Sequence, residues 1–167
     1  MLAYAPPVRK YRRVYERSSN RPMTLRFEDC ESIGPITSSH ETGKKQCMFW
    51  VRGKDDVALL GLIESELASR FEDFMGPVIE KEPENDRVLL MVKFPFRYGR
   101  IECEFENHPS IQGIPTSYDV TFRSRVSLVL ELGYVFTATS RYSGKNYTTV
   151  SVVVKKCTFL PTTLTGT

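Results

Sequence analysis

Two runs with a side-chain period of two, residues 120–140 and 147–160, constrain what this chain can fold into more than any other feature. Val126, Leu128, Leu130, Leu132, Tyr134 and Phe136 recur at every second position, and Val150, Val152 and Val154 repeat the pattern after the turn Tyr142-Ser143-Gly144-Lys145-Asn146. That spacing predicts two long strands, each with one buried face, joined as a ribbon. The turn region carries Arg141, Tyr142, Lys145 and Tyr147. Rings beside cations at a hairpin tip suit a ligand that is both anionic and flat-faced.

The preceding segments supply shorter elements. Residues 23–27 and 44–52 are strand candidates, the second holding Trp50 with Lys44, Lys45 and Arg52 at its ends. Trp50 and Arg52 are therefore candidates for base stacking and phosphate contact, although a core position is the commoner fate of a Trp. Residues 57–75 predict a helix, because Leu60, Ile63, Leu67, Phe71 and Phe74 are spaced three, four, four and three apart and make one apolar stripe. Asp55 or Asp56 is expected to cap its start, and Gly76-Pro77 to end it. Residues 64–86 hold eight carboxylates against Arg70 and Lys81, so that face is expected to turn away from any polyanion. A hairpin of residues 87–94 and 100–105 is predicted around Pro95-Phe96-Arg97-Tyr98-Gly99. Here Lys93, Phe96, Arg97, Tyr98 and Arg100 interleave cations and rings, the combination needed to follow a phosphate backbone while stacking bases.

Charge is spread unevenly. The chain of 167 residues has 23 basic and 20 acidic side chains, a net +3, yet residues 1–22 set Arg9, Lys10, Arg12, Arg13, Arg17 and Arg21 against Glu16 alone. Those 22 residues therefore carry +5 and the remainder −2. They are read as a flexible or partly docked basic arm able to meet nucleic acid or an anionic surface. Residues 23–160 form one β-barrel domain, which a hydrophobic content of 41% can fill with a core, and residues 161–167 form a short uncharged tail.

Several chemistries find no support. Cys30, Cys47, Cys103 and Cys157 are widely spaced without a CxxC pair, so buried reduced thiols are expected and neither metal nor cofactor is. His40 and His108 have no nucleophile at a workable spacing, and Gly43-Lys44 and Gly144-Lys145 lack the rest of a phosphate-binding loop. An enzyme is not expected. Without a leader-like segment or an apolar run of about 18 residues, the expected setting is intracellular and reducing, cytoplasm or nucleus, with no membrane contact.

One long helix and six or seven strands fit a mainly β fold, an OB-like Greek-key barrel with one helix; the alternative is a jelly-roll β-sandwich. Residues 88–100, with Lys93-Phe94-Pro95-Phe96-Arg97-Tyr98, and residues 125–156, with Tyr142-Ser143-Gly144-Lys145-Asn146-Tyr147, resemble the OB-fold single-stranded DNA-binding proteins of phages and large DNA viruses. In that family an apolar strand, ending here near Gly133-Tyr134, leads through a Gly-Lys-Tyr turn into a Val-rich strand ending in Lys. The resemblance covers the C-terminal half. It implies a virus-encoded, non-enzymatic protein that binds single strands in replication or recombination without reading sequence. The family often ends in an acidic partner-binding tail, which the uncharged residues 161–167 do not match. Two other readings stand beside it: a capsid-like jelly roll whose basic arm neutralises packaged genome, and an adaptor that binds protein through the acidic face between Glu64 and Asp86. Self-association is left open.

Overall fold

A computed structural model describes residues 1–38, 44–107, 123–140 and 142–161. The strands in chain order are β1 (Leu2–Tyr4), β2 (Tyr11–Glu16), β3 (Thr24–Ser32), β4 (Thr37–Ser38) and β5 (Lys45–Val51), then, after helix α1 (Lys54–Arg70), β6 (Val78–Glu82) and β7 (Arg87–Phe94). The short β8 (Phe96–Arg97), β9 (Arg100–Ile101) and β10 (Glu104–Glu106) precede the two long strands β11 (Arg125–Thr139) and β12 (Asn146–Phe159).

Five of these close a ring. β3 pairs antiparallel with β5, β5 with β7, and β12 with β11, which returns to pair with β3; the last gap is closed by a parallel contact of β7 with β12, Val153 opposite Lys93. This is a five-stranded Greek-key barrel of OB type. Closure accounts for the absence of a jelly roll: the long ribbon is shared by one ring and is not divided between two facing sheets. Inside lie Leu25, Phe27, Phe49, Leu90, Leu128, Leu130 and Val154, each nearly or fully buried. Leu60, Ile63 and Leu67 of α1 join the same core.

The helix departs from expectation at both ends. Gly53 occupies the N-cap without a side-chain bond, while Asp55 and Asp56 stand in the first turn, where they favour the positive end of the helix dipole. The helix ends at Phe71, whose φ of −119° and ψ of 110° are extended, well before Gly76-Pro77. Residues beyond it have another partner. The Met75 amide donates to the Thr148 carbonyl at 2.8 Å, the Thr148 amide to the Asp73 carbonyl at 3.1 Å, and the Thr148 hydroxyl to the Asp73 carboxylate at 2.7 Å. These bonds clip the segment to the start of β12, so Phe74 packs from a bridge and not from a helical turn.

Residues 1–22, expected as a flexible or partly docked arm, are docked. β1 and β2 form a hairpin, and β2 pairs with β11 through Tyr11 opposite Phe136 and Arg13 opposite Tyr134. Leu2 and Val14 are fully buried, which supplies the apolar anchor that the basic composition hides. The predicted 87–105 hairpin does not form as one unit. β7 takes β5 and β6 as antiparallel partners, β8 and β9 make a separate small hairpin, and β10 runs parallel to β12.

Candidate nucleic-acid interface

The parity of β11 changes along its length, and the site follows from that change. From Val126 to Leu132 the even-numbered residues point inward, as the period predicts; a register shift between Leu132 and Val135 then turns Val135 inward and leaves Tyr134 and Phe136 on the outer face. A bulge of one extra residue inverts every side chain beyond it. Ser151 stabilises it, its hydroxyl accepting the Tyr134 amide at 2.9 Å. Gly133 is needed for this approach, since a Cβ there would stand 2.5 Å from the Ser151 oxygen.

Tyr134 and Phe136 consequently meet β2. Tyr11 packs edge-on to Tyr134 with ring centres 6.0 Å apart and lies tilted against Phe136 at 5.8 Å. The three rings floor a groove across the outer faces of β5, β7, β12, β11 and β2. Its two overlapping halves hold about 460 and about 550 Å³. Phe96 and Lys45 stand in one half, Tyr147 and Lys10 in the other, and Lys44, Lys93, Phe136 and Tyr11 belong to both.

Among the described residues the charge lining the groove has one sign. Lys10, Lys44, Lys45 and Lys93 reach it, and no carboxylate lines either half among the described residues. The Lys93 ammonium sits 4.7 Å from the centre of the Phe136 ring, and the Lys45 ammonium sits at the same distance from Phe96. Lys45 also donates to the Ser38 hydroxyl at 2.6 Å. Burial, with the Lys44 charge adding to it, pulls the Lys93 pKa down to about 8. A lysine so placed gains whenever an anion arrives to replace its lost water.

Helix α1 contributes nothing to the groove lining. Two of its carboxylates are engaged elsewhere: Glu64 pairs with Lys81 at 3.2 Å, and Glu66 accepts the Leu2 amide at 2.8 Å.

The expected site residues divide into three groups. Lys93, Phe96 and Tyr147 line the groove, together with Lys10 from the arm. Arg97, Tyr98, Arg100, Tyr142 and Lys145 sit on the two hairpin tips and project into solvent. Tyr98 is 95% exposed at a turn where it and Gly99 both take positive φ, 51° and 77°, the signature of a type I′ hairpin. Trp50 and Arg52 lie away from the groove. Trp50 is 9% exposed beneath the Arg87 guanidinium, 4.0 Å from its ring centre, and Arg52 pairs with Glu31 at 3.4 Å. Of the other arm residues, Arg13 stands over Tyr134 at 5.7 Å and Arg17 donates to the Leu2 carbonyl at 3.2 Å, whereas Arg9, Arg12 and Arg21 do not line the groove. Arg141, His40 and His108 lie outside the described residues.

Tyr11, Lys44, Lys45, Tyr134 and Phe136 were not among the expected site residues, and Gly133 was the available signal, since an isolated Gly within a strand marks a bulge.

All four cysteines are free, and burial raises every one of their pKa values, those of Cys47 and Cys157 to about 12. They are protonated thiols at neutral pH, and no cluster able to hold a metal occurs among the described residues. No helix there is long and apolar enough to cross a membrane.

No family model and no curated protein matches the chain. Solved structures similar to it include those of two phage single-stranded DNA-binding proteins. The single-stranded DNA-binding protein of bacteriophage Enc34, in a C-terminally truncated form, is 11% identical over 95% of this chain and 92% of its own, with a TM-score of 0.48. The gp2.5 protein, a single-stranded DNA-binding protein encoded by bacteriophage T7, is 7% identical over 83% of this chain and 86% of its own, with a TM-score of 0.43.

Proposed function

We propose that the groove binds single-stranded nucleic acid, DNA in preference to RNA, without reading sequence, and that the protein serves replication or recombination as a non-enzymatic binder. One observation carries this reading: lysines and aromatic rings line one continuous groove from Phe96 to Tyr147, and no carboxylate does among the described residues. Lys10, Lys44, Lys45 and Lys93 would release counterions from the phosphates they neutralise, and bases would stack on Tyr11, Tyr134 and Phe136, each stacked base contributing about 1–3 kcal/mol. The tips that bear Tyr98 and Tyr142, close in sequence to the groove residues Phe96 and Tyr147, would extend its reach along a flexible strand. Duplex would fit poorly, because its paired bases offer no free faces to a floor of rings.

The test is a fluorescence titration of labelled oligo-dT, oligo-U and duplex. Four phosphate contacts predict that log K falls with log salt at a slope of about −3 for a single strand, which is roughly a fifty-fold loss between 50 and 200 mM salt. Equal affinity for duplex, or binding indifferent to salt, would overturn the proposal.

A further inference from the structure

The row of outward-facing side chains does not stop at Tyr11. Residues of β2 that pair with β11 share its outer face, so Tyr11, Arg13 and Tyr15 continue the row begun by Phe136 and Tyr134. The Arg13 guanidinium bridges two rings, 5.7 Å from the centre of Tyr134 and 6.0 Å from that of Tyr15. Arg13 is exposed and has no carboxylate partner among the described residues. Beyond Tyr15, β1 places Ala3 opposite it in register, so no bulky side chain stands across the row at that point. A planar cation held between two rings, its charge unmatched, has the chemistry of a phosphate contact flanked by stacking surfaces.

We infer that the N-terminal hairpin is a second binding step, in which Arg13 takes a phosphate and Tyr15 a base beyond those held in the groove. The strand of nucleic acid then crosses β12, β11 and β2 in turn, and the hairpin sets the length of the occupied site. This inference rests on the groove reading but makes a separate demand, that the hairpin matter only to a ligand long enough to reach it.

The experiment compares oligo-dT of about 5 and about 12 nucleotides, lengths within the range one OB fold covers, on the wild-type protein, Arg13→Gln, and Arg13→Gln with Tyr15→Ala. The 12-mer should bind the double variant about tenfold more weakly than wild type, and the 5-mer should lose less than twofold. Arg13→Gln alone, a change at an exposed position, should give the same pattern at smaller size and guards against misfolding of the double variant. An equal loss at both lengths, or no loss at either, overturns the hairpin step while leaving the groove standing. Wild-type protein that binds neither length overturns the groove reading and the hairpin step together.

Discussion

Arg87 and Lys93 stand at opposite ends of β7, and each holds its charge over an aromatic ring, Arg87 at 4.0 Å from Trp50 and Lys93 at 4.7 Å from Phe136. At the first end Glu82 grips the guanidinium with Nε–Oε2 at 3.0 Å and Nη2–Oε2 at 2.7 Å, while Trp50 is nearly covered. At the second end no described carboxylate answers Lys93, and its ring forms the floor of an open groove. The local motif is the same, but its charge balance differs. A cation stacked on a ring is structural where an acid completes it, and available to a ligand where none does.

The largest effect that could break this contrast belongs to the closed end. Trp50→Ala should cost about 3 kcal/mol of stability by removing a large buried ring, and the midpoint of chemical denaturation measures it. Affinity for oligo-dT should stay within about twofold. A large loss of affinity in a folded Trp50→Ala protein would make both ends binding sites.

Next in size is Phe136→Ala at the open end. It removes a stacking face and should weaken binding by about 1–3 kcal/mol, on the order of five- to 150-fold, in the same titration. The protein should still fold, since Phe136 lies outside the barrel core.

Lys93→Met should move stability and binding in opposite directions. The fold disfavours charged Lys93, so its replacement by an apolar chain of similar length should raise the melting temperature at pH 7 while affinity falls about tenfold. The pH dependence carries the same signature. With a folded pKa of about 8 against an ordinary 10.5, the unfolded chain binds the extra proton between those values, and stability contributed by this residue rises with pH across that window. A bound phosphate favours the proton, so wild-type affinity should fall as pH rises through 8, by up to about tenfold per unit, and Lys93→Met should lose that slope.

Much of the barrel was legible in the sequence. Period two marked β11 and β12, and the apolar stripe marked the buried face of α1, because both patterns are local. What escaped depended on distant partners. Phe71 leaves the helix because residues 73–75 bond to Thr148, some 75 positions away. The N-terminal hairpin is held by Leu2 and Val14 within a run that otherwise reads as a basic tail. Tyr134 and Phe136 keep the spacing of the buried row yet lie outside it, since one extra residue changes phase without changing period. The lining of the groove was half legible for the same reason: Lys93, Phe96 and Tyr147 belong to runs where rings and cations alternate, whereas Tyr11 and Lys45 reach the groove through pairing across the sheet.

Gly133→Ala should have the smallest effect and tests that phase change. The new Cβ must displace the Ser151 hydroxyl, at a cost of about 1 kcal/mol for the lost bond to the Tyr134 amide. Affinity should fall alongside stability, because Tyr134 and Phe136 shift together.

Photo-crosslinking asks most directly whether the open end of β7 and its neighbours hold the ligand. Oligo-dT carrying 5-iodouracil, irradiated in complex with the protein and mapped by mass spectrometry, should join to Tyr11, Tyr134 and Phe136, with Phe96 and Tyr147 at the margins. Crosslinks confined to Trp50, or to the face of α1 that bears Glu64, would contradict the account.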